Sequence, residues 1–194
     1  MADPLRKEDR RYTYKDYRQW PEEERYELID GVAYQMSAPT STHQAISMEL
    51  GVQLHTFLKG KPCRVFAAPF DVLLPPLADT AEDDVDTVVQ PDLVVICDQD
   101  RIKKFGLWGA PDLAVEILSP STSGRDLRVK FNLYQRLGVK EYWVIDPPGR
   151  WVHQYVRQPS GLFGPQKLFV DEGTLVSPTL EGLEVDIATL WPDF

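Results

Sequence analysis

The chain has 194 residues, of which 43% are hydrophobic and 26% are charged, and its formal net charge is −9. This composition excludes a disordered chain, and one domain over residues 1–194 is expected at this length. The acidic balance argues against a broad basic surface for nucleic acid. No apolar run approaches the ~20 residues that span a bilayer, and residues 1–11 lack an apolar signal core, so we expect no membrane association.

The two cysteines, Cys63 and Cys97, each lie among apolar neighbours in a predicted strand. Two buried free thiols in a reducing compartment are the favoured interpretation, and a disulfide is the alternative. We therefore expect a cytoplasmic protein.

The first half of the chain predicts a short helix, a hairpin, a longer helix and two strands. Thr13 is placed to cap the first helix, and Asp30-Gly31 between apolar runs is a strong two-residue hairpin signal. Apolar residues at helical spacing predict the longer helix, which Gly60 is placed to end. In chain order we expect a helix over 13–20, strands over 26–29 and 32–36, a helix from 41 or 42 to about 59, and strands over 64–68 and 70–74.

The second half begins with an acidic, proline-containing loop that is expected to be mobile. We then expect this loop over 75–87, a strand over 91–96, a polar segment over 101–104, a strand over 114–119, a helix over 123–137, strands over 141–145 and 151–156, and peripheral strands after 167. Val129, Leu133 and Leu137 are predicted to face the core. Residues 112–145 form a plausible right-handed crossover between parallel strands. The fold class is therefore α/β (α+β), with a mixed central sheet flanked by helices, an N-terminal helix and hairpin, and peripheral C-terminal strands.

Asp92 and Glu116 are single acids in two short apolar strands. A carboxylate is costly to bury unless a positive group lies beside it. Two carboxylates on neighbouring strands can hold a divalent cation, with water and a backbone carbonyl such as that of Ile117 as further ligands. Hard oxygen ligands suit Mg²⁺ or Mn²⁺. Whether the two acids face each other is left open by the sequence.

Pro91-Asp92, followed after a spacer by Glu116, resembles the PD-(D/E)xK nuclease superfamily. That superfamily has a lysine two residues after the glutamate, where this chain has Leu118. Lys130, on the following predicted helix, is the natural substitute because its long side chain can reach the same point.

A series of motifs in unbroken order is similar to the Uma2 family of restriction-endonuclease-like proteins. These motifs are residues 26–31, 36–39 with 43–44, 91–92, 110–122, 130–134 and 141–146. The resemblance implies a nuclease-like fold with Asp92, Glu116 and Lys130 as the catalytic set, and with Asp92 and Glu116 as metal ligands. The activity that would follow is metal-assisted hydrolysis of phosphodiester bonds in DNA. By analogy we expect a homodimer, because two symmetric sites are the simplest way to cut both strands of a duplex.

Three further residues are candidates for a supporting role at this site: His43 at the start of its helix, Glu27 in the hairpin, and Asp71 in an apolar strand. Each main candidate also has a purely structural interpretation. Asp92 could pair with Arg101, Glu116 could form a buried ion pair, and Lys130 could pair with Asp126 one helical turn earlier. For the whole protein, the alternatives are a catalytically silent nuclease fold that acts as a binding or assembly module, and an enzyme acting on a small phosphoester.

Overall fold

The computed structural model describes residues 10–21, 24–119, 124 and 126–194. Its strands are β1 Tyr26–Ile29, β2 Val32–Gln35, β3 Arg64–Ala67, β4 Asp71–Leu73, β5 Val88–Val89, β6 Leu93–Ile96, β7 Ile102–Lys103, β8 Gly106–Trp108, β9 Leu113–Ile117, β10 Glu141–Asp146, β11 Trp151–Val156, β12 Lys167–Val170, β13 Thr174–Val176 and β14 Glu184–Asp186. The α-helices are α1 Tyr14–Tyr17, α2 Ser41–Leu58 and α3 Phe131–Leu137. A π-helical turn, Asp126–Lys130, leads into α3, and short 3₁₀ turns lie at Glu82–Asp84, Gln99–Arg101 and Ile187–Leu190.

The strands form two mixed six-stranded sheets and one two-stranded sheet. The first sheet has the order β2-β1-β5-β4-β8-β7, the second has the order β12-β11-β10-β9-β6-β3, and β13 pairs with β14. This architecture confirms the α+β class and the peripheral C-terminal strands. It differs from the single central sheet of the prediction because β4, β5, β7 and β8 join the N-terminal hairpin into a sheet of its own. β5, β7 and β8 are only two or three residues long, too short to show a clear pattern in the sequence, whereas β4 lies within the predicted strand over 70–74.

The predicted hairpin and crossover are both present. Ile29 pairs with Val32 across a two-residue loop in which Asp30 has φ 48° and Gly31 has φ 75°. Positive φ at both loop positions is the type I′ geometry that an Asp-Gly pair favours. Strands β9 and β10 are parallel, as the crossover predicts.

The second sheet is covered on both faces. Val115 and Ile117 of β9 point toward α2 and the C-terminal segment, whereas Ala114 and Leu118 point toward α3 and the first sheet. Because side chains alternate along a strand, Glu116 lies on the side of Ala114 and Leu118. The first sheet in turn packs its other face on α1. Glu116 is therefore placed between the two sheets.

The helices follow the predictions with small shifts. Thr40, one residue before the predicted caps, accepts a hydrogen bond from the His43 backbone N–H and begins α2. Val129 was expected in the core, but it is 37% exposed, whereas Lys130 is 3% exposed. The π-helical turn explains this difference because its extra residue rotates the face that points inward. The predicted start of this helix at Ser123 lies outside the described residues.

The expectation of two free thiols was wrong, because Cys63 and Cys97 form a disulfide. Arg64 pairs with Ile96 in the antiparallel β3–β6 ladder, so the next residues outward, Cys63 and Cys97, face each other. The expectation of a cytoplasmic location rested on free thiols and loses that support. Within the described part of the chain, no helix combines the length and apolar character needed to cross a bilayer.

Candidate active site

The predicted site residues converge on one pocket of about 80 Å³ between α2 and the two sheets. Since a water molecule needs about 10–15 Å³ of such space, the pocket can hold an ion together with several waters. Its charged and imidazole side chains are Arg25, Glu27, His43, Asp92, Glu116 and Lys130. Five of the six candidates from the sequence are therefore brought together, and Asp71 is the exception.

Asp92 lies directly before β6, and both of its carboxylate oxygens have partners. Oδ2 accepts a hydrogen bond from the Ile117 backbone N–H at 2.7 Å, and Oδ1 is 3.1 Å from Nε2 of His43. The β6–β9 register pairs Leu93 with Val115, and one further step places Asp92 opposite Glu116. Arg101, the alternative partner, contacts Asp98 and Asp112 instead. The two acids therefore do face the same pocket.

Lys130 bridges two buried acids. Its Nζ is 2.8 Å from Oε1 of Glu27 and 2.8 Å from Oε1 of Glu116, and all three side chains are at most 4% exposed. The backbone N–H of Gln90 also donates to Oε1 of Glu27 at 2.9 Å. One ammonium group is therefore shared between two carboxylates, which leaves an excess of negative charge in this part of the pocket.

Tyr134, one helical turn after Lys130, also donates to Oε1 of Glu116, at 2.7 Å. Burial raises the pKa of the Tyr134 hydroxyl well above its usual value of 10.0, and the nearby Glu116 carboxylate raises it further. The hydroxyl therefore stays protonated and acts as a hydrogen-bond donor that fixes the orientation of Glu116.

His43 holds Asp92 from the first turn of α2. With Nε2 donating to Asp92, the Nδ1 atom of a neutral imidazole is an acceptor. This atom is buried and has no hydrogen-bond partner among the described residues. His43 therefore lies at the pocket and contacts the Asp92 carboxylate, and its supporting role stays a prediction.

Asp71 lies behind the pocket rather than in it. Its Oδ1 accepts hydrogen bonds from the Tyr17 hydroxyl at 2.9 Å and from Nε2 of Gln90 at 2.8 Å. Burial raises the pKa of Asp71, and the two hydrogen bonds only partly oppose this effect. Burial also raises the pKa of Tyr17. Gln90 also donates to Glu27 through its backbone N–H. Asp71 therefore contacts the pocket only indirectly, through Gln90.

The raised pKa of Asp71 predicts how the free energy of unfolding depends on pH. The folded state holds the Asp71 proton more tightly than the unfolded state, so this stabilisation is present at low pH and is lost as the pH rises through the raised pKa. Asp71→Asn keeps an acceptor oxygen for Tyr17 and Gln90 without a charge. We expect its free energy of unfolding to exceed that of the wild type at neutral pH and to approach it near pH 3.8, the usual pKa.

Urea denaturation at a series of pH values measures this difference. The exposed Asp193→Asn variant removes the same charge without burial and serves as the control. A difference between Asp71→Asn and wild type that does not change with pH would contradict the assigned cause.

Three residues of the site were missed by the sequence reasoning: Tyr134, Gln90 and Arg25. Tyr134 follows Lys130 by four residues, a spacing that places both on one helix face, so this signal was available. Arg25 precedes Glu27 by two residues and shares its strand face. Gln90 acts on Glu27 through its backbone, for which side-chain patterns give no signal.

The donor set fits a hard divalent cation only in part. Asp92 and Glu116 offer carboxylate oxygens to one pocket, and Mg²⁺ is often held by one or two carboxylates with water as its remaining ligands. Among the described residues, no group of three or more His, Cys, Asp or Glu side chains is arranged to hold a metal ion. The pocket therefore offers two carboxylates, and the remaining ligands would come from water, backbone or substrate.

The sequence profile of the Uma2 family, described as "Putative restriction endonuclease", matches residues 14–188. The chain belongs to the Uma2 family. This match includes every residue of the pocket and confirms the resemblance seen in the sequence motifs. The nuclease description belongs to the family as a whole.

Two individual proteins resemble this Uma2 chain. An uncharacterized protein of Synechocystis, slr1290, is 30% identical over 122 residues, which are 62% of this chain and 60% of that protein. The chain thus spans about three fifths of the curated relative that it matches. A crystal structure titled as a "putative nuclease belonging to DUF820" from Anabaena variabilis has a TM-score of 0.73 at 24% identity, over 92% of this chain and 97% of that one. The similarity to this crystal structure shows that the two chains share a fold.

Proposed function

We propose that this Uma2 protein is a Mg²⁺- or Mn²⁺-dependent endonuclease that hydrolyses phosphodiester bonds in DNA. The observation that carries the proposal is the composition of the pocket. Three carboxylates, those of Glu27, Asp92 and Glu116, line it together with Lys130. An excess of buried negative charge attracts a divalent cation, and an ammonium group beside two carboxylates can act on a phosphate. The family description supports the same reaction class.

Asp92 and Glu116 would hold the cation. A bound divalent cation would supply Lewis-acid charge at the phosphate and lower the pKa of a coordinated water. The protein fixes both carboxylates in advance. His43 and the Ile117 N–H set the orientation of Asp92, whereas Lys130 and Tyr134 set that of Glu116. Such outer partners orient metal ligands and tune their affinity.

Lys130 would act directly on the reacting groups. Its Nζ lies 2.8 Å from Oε1 of both Glu27 and Glu116. From this position the ammonium group would donate a hydrogen bond to an attacking water or to an oxygen of the phosphate. Such a fixed donor stabilises the negative charge that develops during the reaction. The buried position strengthens this interaction because water does not screen it.

Supercoiled plasmid, single-stranded DNA and RNA of similar length test the activity and the preference for DNA. We expect nicking or cutting of DNA with Mg²⁺ or Mn²⁺, none with chelator, and a decrease of about 100-fold or more in the Glu116→Gln variant. Glu184→Gln, which removes an exposed strand glutamate, is the matched control. Absence of cleavage under every metal would refute the enzyme and favour a binding module on the same fold.

Two symmetric sites are the simplest way to cut both strands of a duplex, so we propose a homodimer. Light scattering after size exclusion gives the mass directly. A monomer that nicks one strand at a time would contradict the dimer but not the nuclease activity.

A small chromogenic phosphodiester tests the remaining alternative. Release of its chromogenic group without any cleavage of DNA would identify a small-molecule phosphodiesterase.

A further inference from the structure

Arg25 is the one charged residue of the pocket that the proposed mechanism does not use. Its Nη2 donates to Oε1 of Gln90 at 2.9 Å. Its Nε is buried and has no hydrogen-bond partner among the described residues. A buried N–H donor without a partner is unfavourable, and buried polar groups in folded proteins are almost always paired. The hydrogen-bonding capacity of the Arg25 guanidinium is therefore not fully used within the described part of the protein.

The position of Arg25 is fixed from two sides. Its backbone carbonyl accepts from the Met36 N–H at 2.9 Å, which extends the β1–β2 pairing by one step. Gln90 accepts from the Arg25 guanidinium through its side chain and donates to Glu27 through its backbone. One residue thus sets the guanidinium and the Glu27 carboxylate relative to each other, so Arg25 is pre-organised at the pocket.

The charges of the pocket define what this ligand can be. Three carboxylates face two cationic side chains, Arg25 and Lys130, so the lining has a net charge of about −1. A divalent cation would change this to about +1, which suits a phosphodiester with its single negative charge. Without Arg25 the same pocket with its cation would be neutral. Arg25 therefore gives the loaded pocket its attraction for a phosphodiester.

We propose that Arg25 is the substrate-binding residue that contacts a non-bridging oxygen of the phosphodiester. This inference rests on the proposed function, since it names the group that recognises the substrate of the same site. A guanidinium presents a planar fork of N–H donors that matches phosphate oxygens, and Arg25 lines the pocket. Lys130 and Arg25 then have different roles: Lys130 would donate to the reacting groups, and Arg25 would hold the substrate.

The test compares Arg25→Gln, Arg25→Lys and the control Arg64→Gln, which removes an exposed arginine of β3. Fluorescence anisotropy of a labelled single-stranded octathymidylate is measured with Ca²⁺ as the divalent cation, and gels verify that the probe stays intact. We expect Arg25→Gln to weaken binding about tenfold or more, Arg25→Lys to recover part of the loss, and Arg64→Gln to bind like the wild type. In cleavage assays, KM should increase more than kcat decreases.

Calorimetric titration with Mn²⁺ separates substrate binding from a structural role. We expect unchanged Mn²⁺ affinity in Arg25→Gln, because Arg25 contacts neither Asp92 nor Glu116 in the described contacts. Loss of both DNA and Mn²⁺ binding, or DNA binding equal to the wild type, would overturn the inference. If the wild type binds the probe without cleaving DNA and Arg25→Gln does not bind it, the inference stands and the nuclease proposal fails. If the wild type binds no probe, both fail.

Discussion

Asp92→Asn is expected to reduce the Mn²⁺ affinity of the pocket about 100-fold or more and to abolish DNA cleavage. The substitution removes one of the two carboxylates that would hold the cation. Even outer partners of metal ligands typically change affinity 10–100-fold, so loss of a ligand should cost at least as much. The amide also replaces one acceptor oxygen with a donor, so it cannot keep both the Ile117 N–H and the His43 Nε2 as donors.

Isothermal titration calorimetry with Mn²⁺ measures this effect, and circular dichroism verifies that the fold is kept. Asp100→Asn, which removes an exposed acid from a 3₁₀ turn outside the pocket, is the matched control. Mn²⁺ affinity that is equal in Asp92→Asn, Asp100→Asn and the wild type would remove Asp92 from the metal site.

Local signals in the sequence determined much of the fold. Asp-Gly between apolar runs requires a tight hairpin, and the periodicity of α2 predicts its core face, which Ile46, Leu50 and Leu54 occupy in the structure. The crossover length predicts the parallel pairing of β9 with β10. These signals act over a few residues or follow from chain connectivity, so one sequence is enough to read them.

The placement of Asp92 opposite Glu116 depends on strand register, which one sequence does not specify. Glu141 shows the same ambiguity, since it is also a single acid at the start of an apolar strand and is fully buried. Its carboxylate accepts from Trp143 and Gln154 on one oxygen and from Ser177 on the other. Neutral donors thus surround Glu141, whereas Glu116 faces a lysine and a pocket. Only tertiary contacts separate the structural acid from the candidate catalytic one.

The helix that carries Lys130 could be predicted, but its inward face could not. A regular helix that buries Leu133 and Leu137 would also bury Val129, one turn earlier, and would turn Lys130 away from that stripe. With the π-helical turn, Lys130 is buried and Val129 is exposed instead. π-bulges frequently mark functional sites because they re-aim a side chain against the regular pattern. The π-helical turn thus places Lys130 in the pocket, where a regular helix would have placed Val129 inward.

Lys130→Met is expected to destabilise the protein by about 3–5 kcal/mol in its free energy of unfolding and to abolish cleavage. The substitution removes the cation that the Glu27 and Glu116 carboxylates share, and breaking a buried ion pair by removing one partner carries a cost of this size. Urea denaturation at pH 7 measures the loss. Because one lysine serves two acids, a triple variant that adds Glu27→Gln and Glu116→Gln should recover a large part of the lost stability, although it should remain inactive.

Lys140→Met is the matched control for this loss. Lys140 also contacts a buried carboxylate, with its Nζ 2.6 Å from Oδ1 of Asp112, but its own side chain is 62% exposed. Asp112 additionally accepts from the Cys97 backbone N–H at 2.7 Å, so it keeps a strong partner when Lys140 is replaced. We therefore expect Lys140→Met to cost about 1 kcal/mol or less. Equal losses for the two lysines, or no recovery in the triple variant, would show that the Lys130 effect comes from packing rather than from charge. The proposed metal site, which depends on an excess of negative charge in the pocket, would then lose its main support.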